Sequence, residues 1–178
     1  MKEELHLVEP SPEYGQALMD YRHAMLQAHS PMDGCGPLRR CTSPEEFFTV
    51  CERSAHRETV PPNHVPATQY LCLREDGSLA GMLNLRHELN PALEQFGGHI
   101  TYSIRPDLRG QGYGKAQLTL GLEKARELGL ERVLITCSRS NQPSRSVILS
   151  NGGKLENVVM DLDEGEVVER YWIDLERK

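Results

Sequence analysis

Hydrophobic positions recur along the chain with two periods, and these periods predict interleaved strands and helices. Apolar residues repeat every three or four positions in residues 14–28 and 115–128, the spacing of one helix face. Residues 131–137 have a continuously apolar centre, which is typical of a strand buried on both faces. By the same criteria we predict strands at 5–8, 67–74, 79–89, 99–105, 154–161 and 166–175, and helices at 43–57 and 141–151.

Turn and cap residues support these boundaries. Ser43 followed by Pro44 is a typical helix start, and Asp76-Gly77 is a hairpin turn between two strands. The resulting order is β-α-α-β-β-β-α-β-α-β-β, an α/β (mixed α+β) arrangement with an antiparallel first half and one parallel β-α-β unit. With 178 residues and no linker, the pattern predicts a single domain covering residues 1–178.

Composition and charge narrow the function. The chain is 38% hydrophobic and 26% charged, which indicates a globular protein, and its net charge of −6 argues against a nucleic-acid partner. The acidic balance weakly favours a cationic or amine substrate. No apolar run approaches the roughly 20 residues of a membrane helix, and the first residues do not resemble a signal peptide, so we expect no membrane partner.

The cysteines predict neither disulfides nor a metal site. Their number is odd and no two of them form a C-x-x-C pair, which fits the reducing cytoplasm. His23 and His29 are six positions apart on a predicted helix, a spacing that does not place them on one face for a metal. The five cysteines are Cys35, Cys41, Cys51, Cys72 and Cys137.

A glycine-rich turn, Arg109-Gly110-Gln111-Gly112-Tyr113-Gly114, lies between the predicted strand 99–105 and the helix 115–128. Such a turn presents free backbone N–H groups at the positive end of a helix dipole, which is a site for a phosphate-bearing ligand. A Walker-A loop does not fit, because Lys115 is followed by Ala116 and the required first glycine is absent. A Rossmann fingerprint also fails, since its third glycine is missing and the strand comes after three others.

With Arg105-Pro106 before it, the turn resembles the acyl-CoA loop of the GNAT superfamily of N-acetyltransferases, whose pattern is (Q/R)-x-x-G-x-(G/A). A second phrase, beginning at Asn141 and ending at Gly153, resembles a later helix of that superfamily. The segments 85–90 and 97–106 are similar to L-R-H-x-L-N and G-G-H-I-x-Y-x-I-R-P in its uncharacterised, predicted acetyltransferase branch. The order of elements over nearly the whole chain is also that of the superfamily.

The resemblance implies a central sheet of about seven strands with four helices, in which the fourth and fifth strands are parallel and splay apart. It implies acetyl-CoA as co-substrate, held by backbone amides of the glycine turn, by the fourth strand and by the helix that follows the fifth strand. The acceptor amine is expected from the opposite side, between walls at 30–41, 61–66 and 89–98. The expected cofactor-binding residues are Ser103, Ile104, Arg109, Gly110, Gln111, Gly112, Tyr113, Gly114, Lys115, Cys137, Asn141 and Ser144.

The acid and base are less well defined. Many relatives carry a tyrosine on the later helix as general acid, whereas this chain has Ile148 there. Tyr102 could act as general acid in place of that tyrosine. Side chains alternate along a strand, however, so Tyr102 shares a face with Ile100 and Ile104, and such an apolar face is typical of the core. For the base we expect His99, Glu88 or His87, because the ends of two antiparallel strands bring this polar run together. A solvated hairpin with a capping histidine explains the same residues without catalysis.

The activity predicted by the resemblance is transfer of acetyl from acetyl-CoA to a primary amine by direct attack. A covalent route through Cys137 is disfavoured, because a small apolar residue at a strand end explains it. The alternative class is an acyl-CoA sensor without turnover, which the isoleucine at position 148 favours. The acceptor, a small molecule or a peptide, is left open, and a homodimer is possible by analogy.

Overall fold

The computed structural model describes residues 3–176, so the predicted domain, 1–178, extends two residues outside them at each end. Within this stretch, seven strands and four long helices follow the predicted order. The strands are β1 (His6–Val8), β2 (Ala67–Leu73), β3 (Leu79–Arg86), β4 (Ile100–Ile104), β5 (Arg132–Ser138), β6 (Lys154–Asp161) and β7 (Glu166–Asp174). The helices are α1 (Gly15–Gln27), α2 (Pro44–Ser54), α3 (Tyr113–Glu127) and α4 (Gln142–Ser150), and single helical turns lie at Pro12–Tyr14, Leu93–Gly97 and Pro106–Leu108.

Helix starts follow the capping residues found in the sequence. The Ser43 side chain accepts the N–H of Glu46, and Pro44 occupies the first turn of α2. The Asn141 side chain caps α4 in the same way, accepting the N–H of Ser144 at 3.2 Å. Strand β3 ends at Arg86, short of the predicted residue 89, because the chain turns there and the N–H of His87 bonds the carbonyl of Pro66.

The strands form two antiparallel sheets rather than one sheet of seven. The first has the order β1-β2-β3-β4 and the second has the order β5-β7-β6. Strands β4 and β5 are parallel neighbours across the junction, yet no ladder of hydrogen bonds joins them in the described residues. The predicted splay is therefore present, and it is wide enough to divide the predicted central sheet in two.

Helices cover both faces of the first sheet. Helices α3 and α4 pack on one face, in a core that extends across the junction to the second sheet. Helices α1 and α2 pack on the other face, together with the loop that joins them. The buried apolar residues of α1 are Leu18, Tyr21 and Met25, and those of α3 are Leu118, Leu122 and Ala125. These sets repeat at the helical spacing read from the sequence.

None of the helices between residues 3 and 176 combines the length and apolar character needed to cross a bilayer. The five cysteines are buried free thiols. No group of three His, Cys, Asp or Glu side chains in this part of the chain is arranged to hold a metal ion.

Candidate functional site

The glycine turn carries six backbone N–H groups without a protein acceptor. Among the described residues, no backbone or side-chain oxygen receives the N–H of any residue from 110 to 115, and the first bond of the helix runs from Ala116 to the carbonyl of Gly112. These amides lie at the N-terminal end of α3, where the helix dipole is positive. Their orientation and number fit the oxygens of a diphosphate.

The glycines keep the space in front of these amides open. Gly110 and Gly112 have φ angles of +73° and +91°, and a Cβ added to either would meet no atom within 4 Å. The positive φ requires glycine, and the empty Cβ directions leave room for a ligand to approach the backbone. Gly114 has a different role, because its Cβ would lie 3.1 Å from the side chain of Val147 on α4. It lets α3 and α4 pack closely at the edge of the turn.

Three side chains of the turn form hydrogen bonds with other parts of the protein. The guanidinium of Arg109 donates to the carbonyl of Ile104 and to the hydroxyl of Ser30. Gln111 donates to the carbonyl of Asp107, and Tyr113 donates to a carboxylate near the N-terminus. Lys115 is exposed at the opening of the cleft described below. The backbone, with Lys115, is therefore what this turn offers a phosphate.

The junction between β4 and β5 is closed at one end. The N–H of His99 donates to the carbonyl of Leu134 at 2.7 Å, and the N–H of Leu134 donates to Nδ1 of His99 at 2.9 Å. Gly98 packs so tightly here that a Cβ on it would lie 2.4 Å from the Leu134 carbonyl oxygen. Beyond this point the two strands separate.

The free edge of β4 faces the open part of the junction. The His99 carbonyl accepts from the N–H of Arg86, and the N–H of Arg105 donates to the carbonyl of Ala80, so these two backbone groups point towards β3. Since hydrogen-bonding direction alternates along an antiparallel strand, the N–H and C=O groups of Tyr102 and Ile104 point towards β5. The backbone of Ser103 points instead towards Met82 on β3, its register partner.

A cleft of about 990 Å³ runs from the glycine turn through this junction to the opposite face of the first sheet. Of the residues expected to bind the cofactor, all but Gln111 and Tyr113 line it. Its basic residues, Arg109 and Lys115, lie at the turn. Its acidic residues are Asp33, Asp161, Glu164 and Glu166. The cleft is therefore basic at the glycine turn and acidic elsewhere along its lining.

The cleft opens a second time on the opposite face of the first sheet, where the acceptor is expected. The segments that line this opening differ in part from the expected walls. Residues of the 30–41 loop line it, as does Phe96 from the expected 89–98 wall, but the 61–66 connector does not. The turn between β6 and β7 takes its place. The sequence of that turn, Asp163-Glu164-Gly165, is acidic, but nothing in it indicates that the turn lines this cleft.

Strand β4 and helix α4 bring two hydroxyl groups together in the cleft. The Tyr102 hydroxyl lies 3.1 Å from Oγ of Ser144 and 3.4 Å from its carbonyl oxygen. Burial, with a smaller effect from Cys137, raises the pKa of Tyr102 to about 12. Burial likewise raises the pKa of the Cys137 thiol to about 11, so this thiol is protonated at neutral pH. Ile148, by contrast, is fully buried in the core.

The other three proposed catalytic residues are not brought together. His99 lies at the closed end of the junction, where burial, aided by the charges of Arg86 and Arg132, lowers its pKa to about 4. Its neutral form suits the bond that Nδ1 accepts from Leu134. Nε2 of His87 lies 2.8 Å from the hydroxyl of Thr68 and Glu88 pairs with Arg57, and no hydrogen bond or ion pair in the described residues joins them to His99. None of the three lines the cleft. Their participation in proton transfer stays a prediction.

Sequence reasoning missed the role of Ser30. Ser30 and Arg109 are 79 positions apart, yet Ser30 Oγ is 2.6 Å from Nη2 of Arg109, and both residues line the cleft. No local motif marks a serine just after a helix as the partner of an arginine in a distant turn.

Comparison with protein families and solved structures agrees with this geometry. Residues 36–152 match the model of the acetyltransferase (GNAT) family. No curated protein sequence gives a significant match to the chain.

Three solved structures illustrate the likeness of fold. A ribosomal-protein-S5-alanine acetyltransferase from Vibrio fischeri has a TM-score of 0.70 at 13% identity, covering 99% of this chain and 96% of its own. A spermidine N-acetyltransferase chimera built from the Vibrio cholerae enzyme has a TM-score of 0.66 at 14% identity, covering 96% and 95%. A candidate acetyltransferase from Salmonella typhimurium, solved with acetyl-CoA, has a TM-score of 0.62 at 14% identity, covering 98% and 95%.

Proposed function

Since the chain belongs to the acetyltransferase (GNAT) family, which supports acyl transfer from acetyl-CoA, we propose that it acetylates a primary amine by direct attack on the thioester. The observation that carries this proposal is the continuity of the cleft. It connects six unpaired amides at the glycine turn with the open edge of β4 and then with an acidic opening on the other face. One substrate can enter from each side, and the two meet at the junction of the sheets.

In this proposal the glycine turn binds the diphosphate of acetyl-CoA through the amides of residues 110–115. Asn141 and Ser144, at the start of α4, flank the same cleft and are proposed to contact the pantetheine arm. The free edge of β4 supplies the next contacts. Because the N–H groups of Tyr102 and Ile104 face the junction, either can donate to the thioester carbonyl as charge develops on its oxygen.

We assign the general acid to Tyr102. Its hydroxyl lies in the cleft beside α4, which is the helix that carries a tyrosine in many relatives, and its raised pKa keeps it protonated at neutral pH. The departing thiolate of CoA requires one proton, which a phenol held close to it can supply. His99 is proposed to have a supporting role, holding the closed end of the junction in register through its two bonds to Leu134.

The acceptor is proposed to enter as an ammonium ion through the acidic opening. Asp33, Glu164 and Glu166 line this side of the cleft. A cation is attracted by such a field before it loses its proton to water and becomes the nucleophile. The five unpaired cysteines are consistent with action in a reducing compartment such as the cytoplasm.

Release of free thiol from acetyl-CoA in the presence of a panel of primary amines tests the proposal. We expect at least one cationic amine to raise thiol release well above the rate with acetyl-CoA alone, and the acetylated amine to be found by mass spectrometry. Thiol release at background with every amine, in a protein that still binds CoA, would instead support the sensor, which the burial of Ile148 at the usual tyrosine position favours.

A further inference from the structure

The strongest feature not explained by the proposed chemistry is the direction of the Arg109 side chain. Arg109 opens the glycine turn, yet its guanidinium points away from the six free amides. Nε donates to the carbonyl of Ile104 at 3.0 Å, and Nη2 donates to Oγ of Ser30 at 2.6 Å. Two directed hydrogen bonds to protein therefore hold this cation beside the proposed phosphate site rather than in it.

The surroundings of Ser30 hold its hydroxyl oxygen in position to accept this bond. Ser30 is 3% exposed, and its hydroxyl donates to the carbonyl of Pro31 at 3.2 Å, which leaves the lone pairs of Oγ for Arg109. Its carbonyl accepts from Arg39 at 2.8 Å and its N–H bonds the carbonyl of Met25. Ser30 is thus fixed at the junction of α1 with the 30–41 loop.

The 30–41 loop reaches the part of β4 where the acetyl group is proposed to react. A Cβ on Gly34 would lie 2.4 Å from the carbonyl oxygen of Thr101 and 2.5 Å from Cα of Tyr102, so the loop backbone rests directly on the strand. The buried amide of Gln69 holds the Gly34 carbonyl at 2.7 Å. A shift of this loop would therefore move the backbone that packs on Tyr102, and it would also move Asp33 at the acidic opening.

Arg109 connects these two regions. Among the described residues, its bond to Ser30 is the hydrogen bond that joins the turn at 105–115 to the loop at 30–41. Through Ile104 it also orients a carbonyl on the free edge of β4. The Arg109 backbone belongs to the phosphate turn, and its guanidinium bonds the strand edge and the acceptor wall.

Resting on the proposed function, we propose that Arg109 and Ser30 form a positioning pair that couples occupation of the glycine turn to the placement of the 30–41 loop. Phosphates bound at the amides that follow Arg109 immobilise the backbone of the turn, and this holds the base of the Arg109 side chain where its guanidinium can bond Ser30 and Ile104. The acceptor wall is then most firmly placed when the acyl donor is bound. Arg109 itself is not the phosphate ligand.

Hydrogen exchange with CoA as the probe tests this coupling without knowledge of the acceptor. In the wild type we expect CoA to slow exchange in peptides covering 109–118 and, by about tenfold, in peptides covering 30–41. Ser30→Ala and Arg109→Gln should each abolish the slowing in 30–41 and retain it in 109–118. Both should keep the calorimetric Kd for CoA within about threefold of the wild-type value.

Arg105→Gln is the matched control. It removes a cation from the same turn, but its guanidinium pairs with Asp107 and makes no bond to the 30–41 loop. It should therefore respond to CoA as the wild type does. Combining Ser30→Ala with Arg109→Gln should add nothing to the loss of slowing in 30–41, because each change removes the Arg109–Ser30 bond; Arg109→Gln also removes the bond to the Ile104 carbonyl.

The outcomes separate the two proposals. CoA-dependent slowing in 30–41 that persists in both variants would overturn the coupling. So would a Kd raised more than about tenfold by Arg109→Gln alone, since Arg109 would then be a phosphate ligand. A wild-type protein that binds no CoA would overturn the proposed function together with the coupling.

Discussion

The two ends of the β4–β5 junction are made of the same pair of parallel strands, but their backbones are satisfied in opposite ways. At the closed end, His99 and Leu134 exchange two hydrogen bonds, one through the backbone and one through the imidazole. At the open end, the edge groups of Tyr102 face a cleft and the glycine turn beyond leaves six amides unpaired. The protein pairs its backbone polar groups at one end of the junction and leaves them unpaired at the other.

This contrast shows how a fold can offer a candidate binding site that consists of backbone groups alone. The residues of the glycine turn are exposed or half-buried, so their unpaired N–H groups are open to water, and a phosphate can replace that water at the end of the helix. The closed end is also needed, because it fixes the distance from which the strands diverge. We therefore expect changes at the open end to alter binding and changes at the closed end to alter stability.

The largest effect is expected at the glycine turn. Replacing Gly112 by Val puts a branched side chain at a φ of +91° and in front of the free amides, and should weaken CoA binding by at least about 100-fold in calorimetry. Gly129 has a φ of +86° and equally open surroundings at the far end of α3, so Gly129→Val is the matched control. It should lose similar stability and bind CoA normally. Equal Kd values for the two variants would refute the phosphate assignment.

The next effect concerns stability at the closed end. Gly98→Ala places a Cβ 2.4 Å from the Leu134 carbonyl oxygen, at a φ of +65°, and should cost about 3 kcal/mol in urea unfolding. Gly110→Ala at the open end has a similar φ, +73°, but no neighbour within 4 Å, so only the strain of about 1 kcal/mol is expected. If the two variants lost the same stability, the closed end would not be the tighter one.

Tyr102→Phe examines the chemistry of the open end. Loss of the hydroxyl should lower the rate of amine-dependent thiol release by about 10- to 100-fold and leave the Kd for CoA within about twofold. Tyr70, which is 7% exposed in the same core cluster and does not line the cleft, provides the control Tyr70→Phe. A wild-type rate in Tyr102→Phe would remove this residue as the general acid.

The smallest effect is a pH dependence of the closed end. Burial lowers the pKa of His99 to about 4 in the folded protein, below its ordinary value of 6.5. Because the unfolded chain takes up the proton first, this stabilisation is complete above about pH 7.5, falls by about 2 kcal/mol down to about pH 5, and is lost entirely as the pH drops below 4.

His99→Gln checks the assignment of that pH dependence. A glutamine carbonyl can still accept from the N–H of Leu134 but does not titrate, so the difference in unfolding free energy between wild type and variant should change over this pH range. Parallel stability curves for the two proteins would show that His99 does not carry the effect.

Much of the fold was predictable because local patterns decide it. The helical spacing of α1 and α3, the cap at Ser43 and the glycine turn at 109–114 each depend on neighbours within a few positions. The candidate phosphate site was predictable for the same reason, since its donors are consecutive amides. The proposed general acid was harder to identify, because the position of Tyr102 beside Ser144 joins a strand to a helix 42 positions away.

Some placements could not be derived from the chain order. The 30–41 loop and the acidic turn between β6 and β7 are far apart in the chain but line one cleft. His99 and Glu88 do not meet, because the imidazole bonds Leu134 on β5 and Glu88 pairs with Arg57. The bond of Arg109 to Ser30 spans 79 positions and carries no local signal.

The sequence by itself determined the order of strands and helices and the turn that can hold a phosphate, because periodicity, capping and φ preference are properties of adjacent residues. Only the tertiary structure decided which backbone groups remain unpaired, which side chains face the cleft and which cation ties its two walls together. Those outcomes depend on packing and hydrogen bonding between segments far apart in the chain.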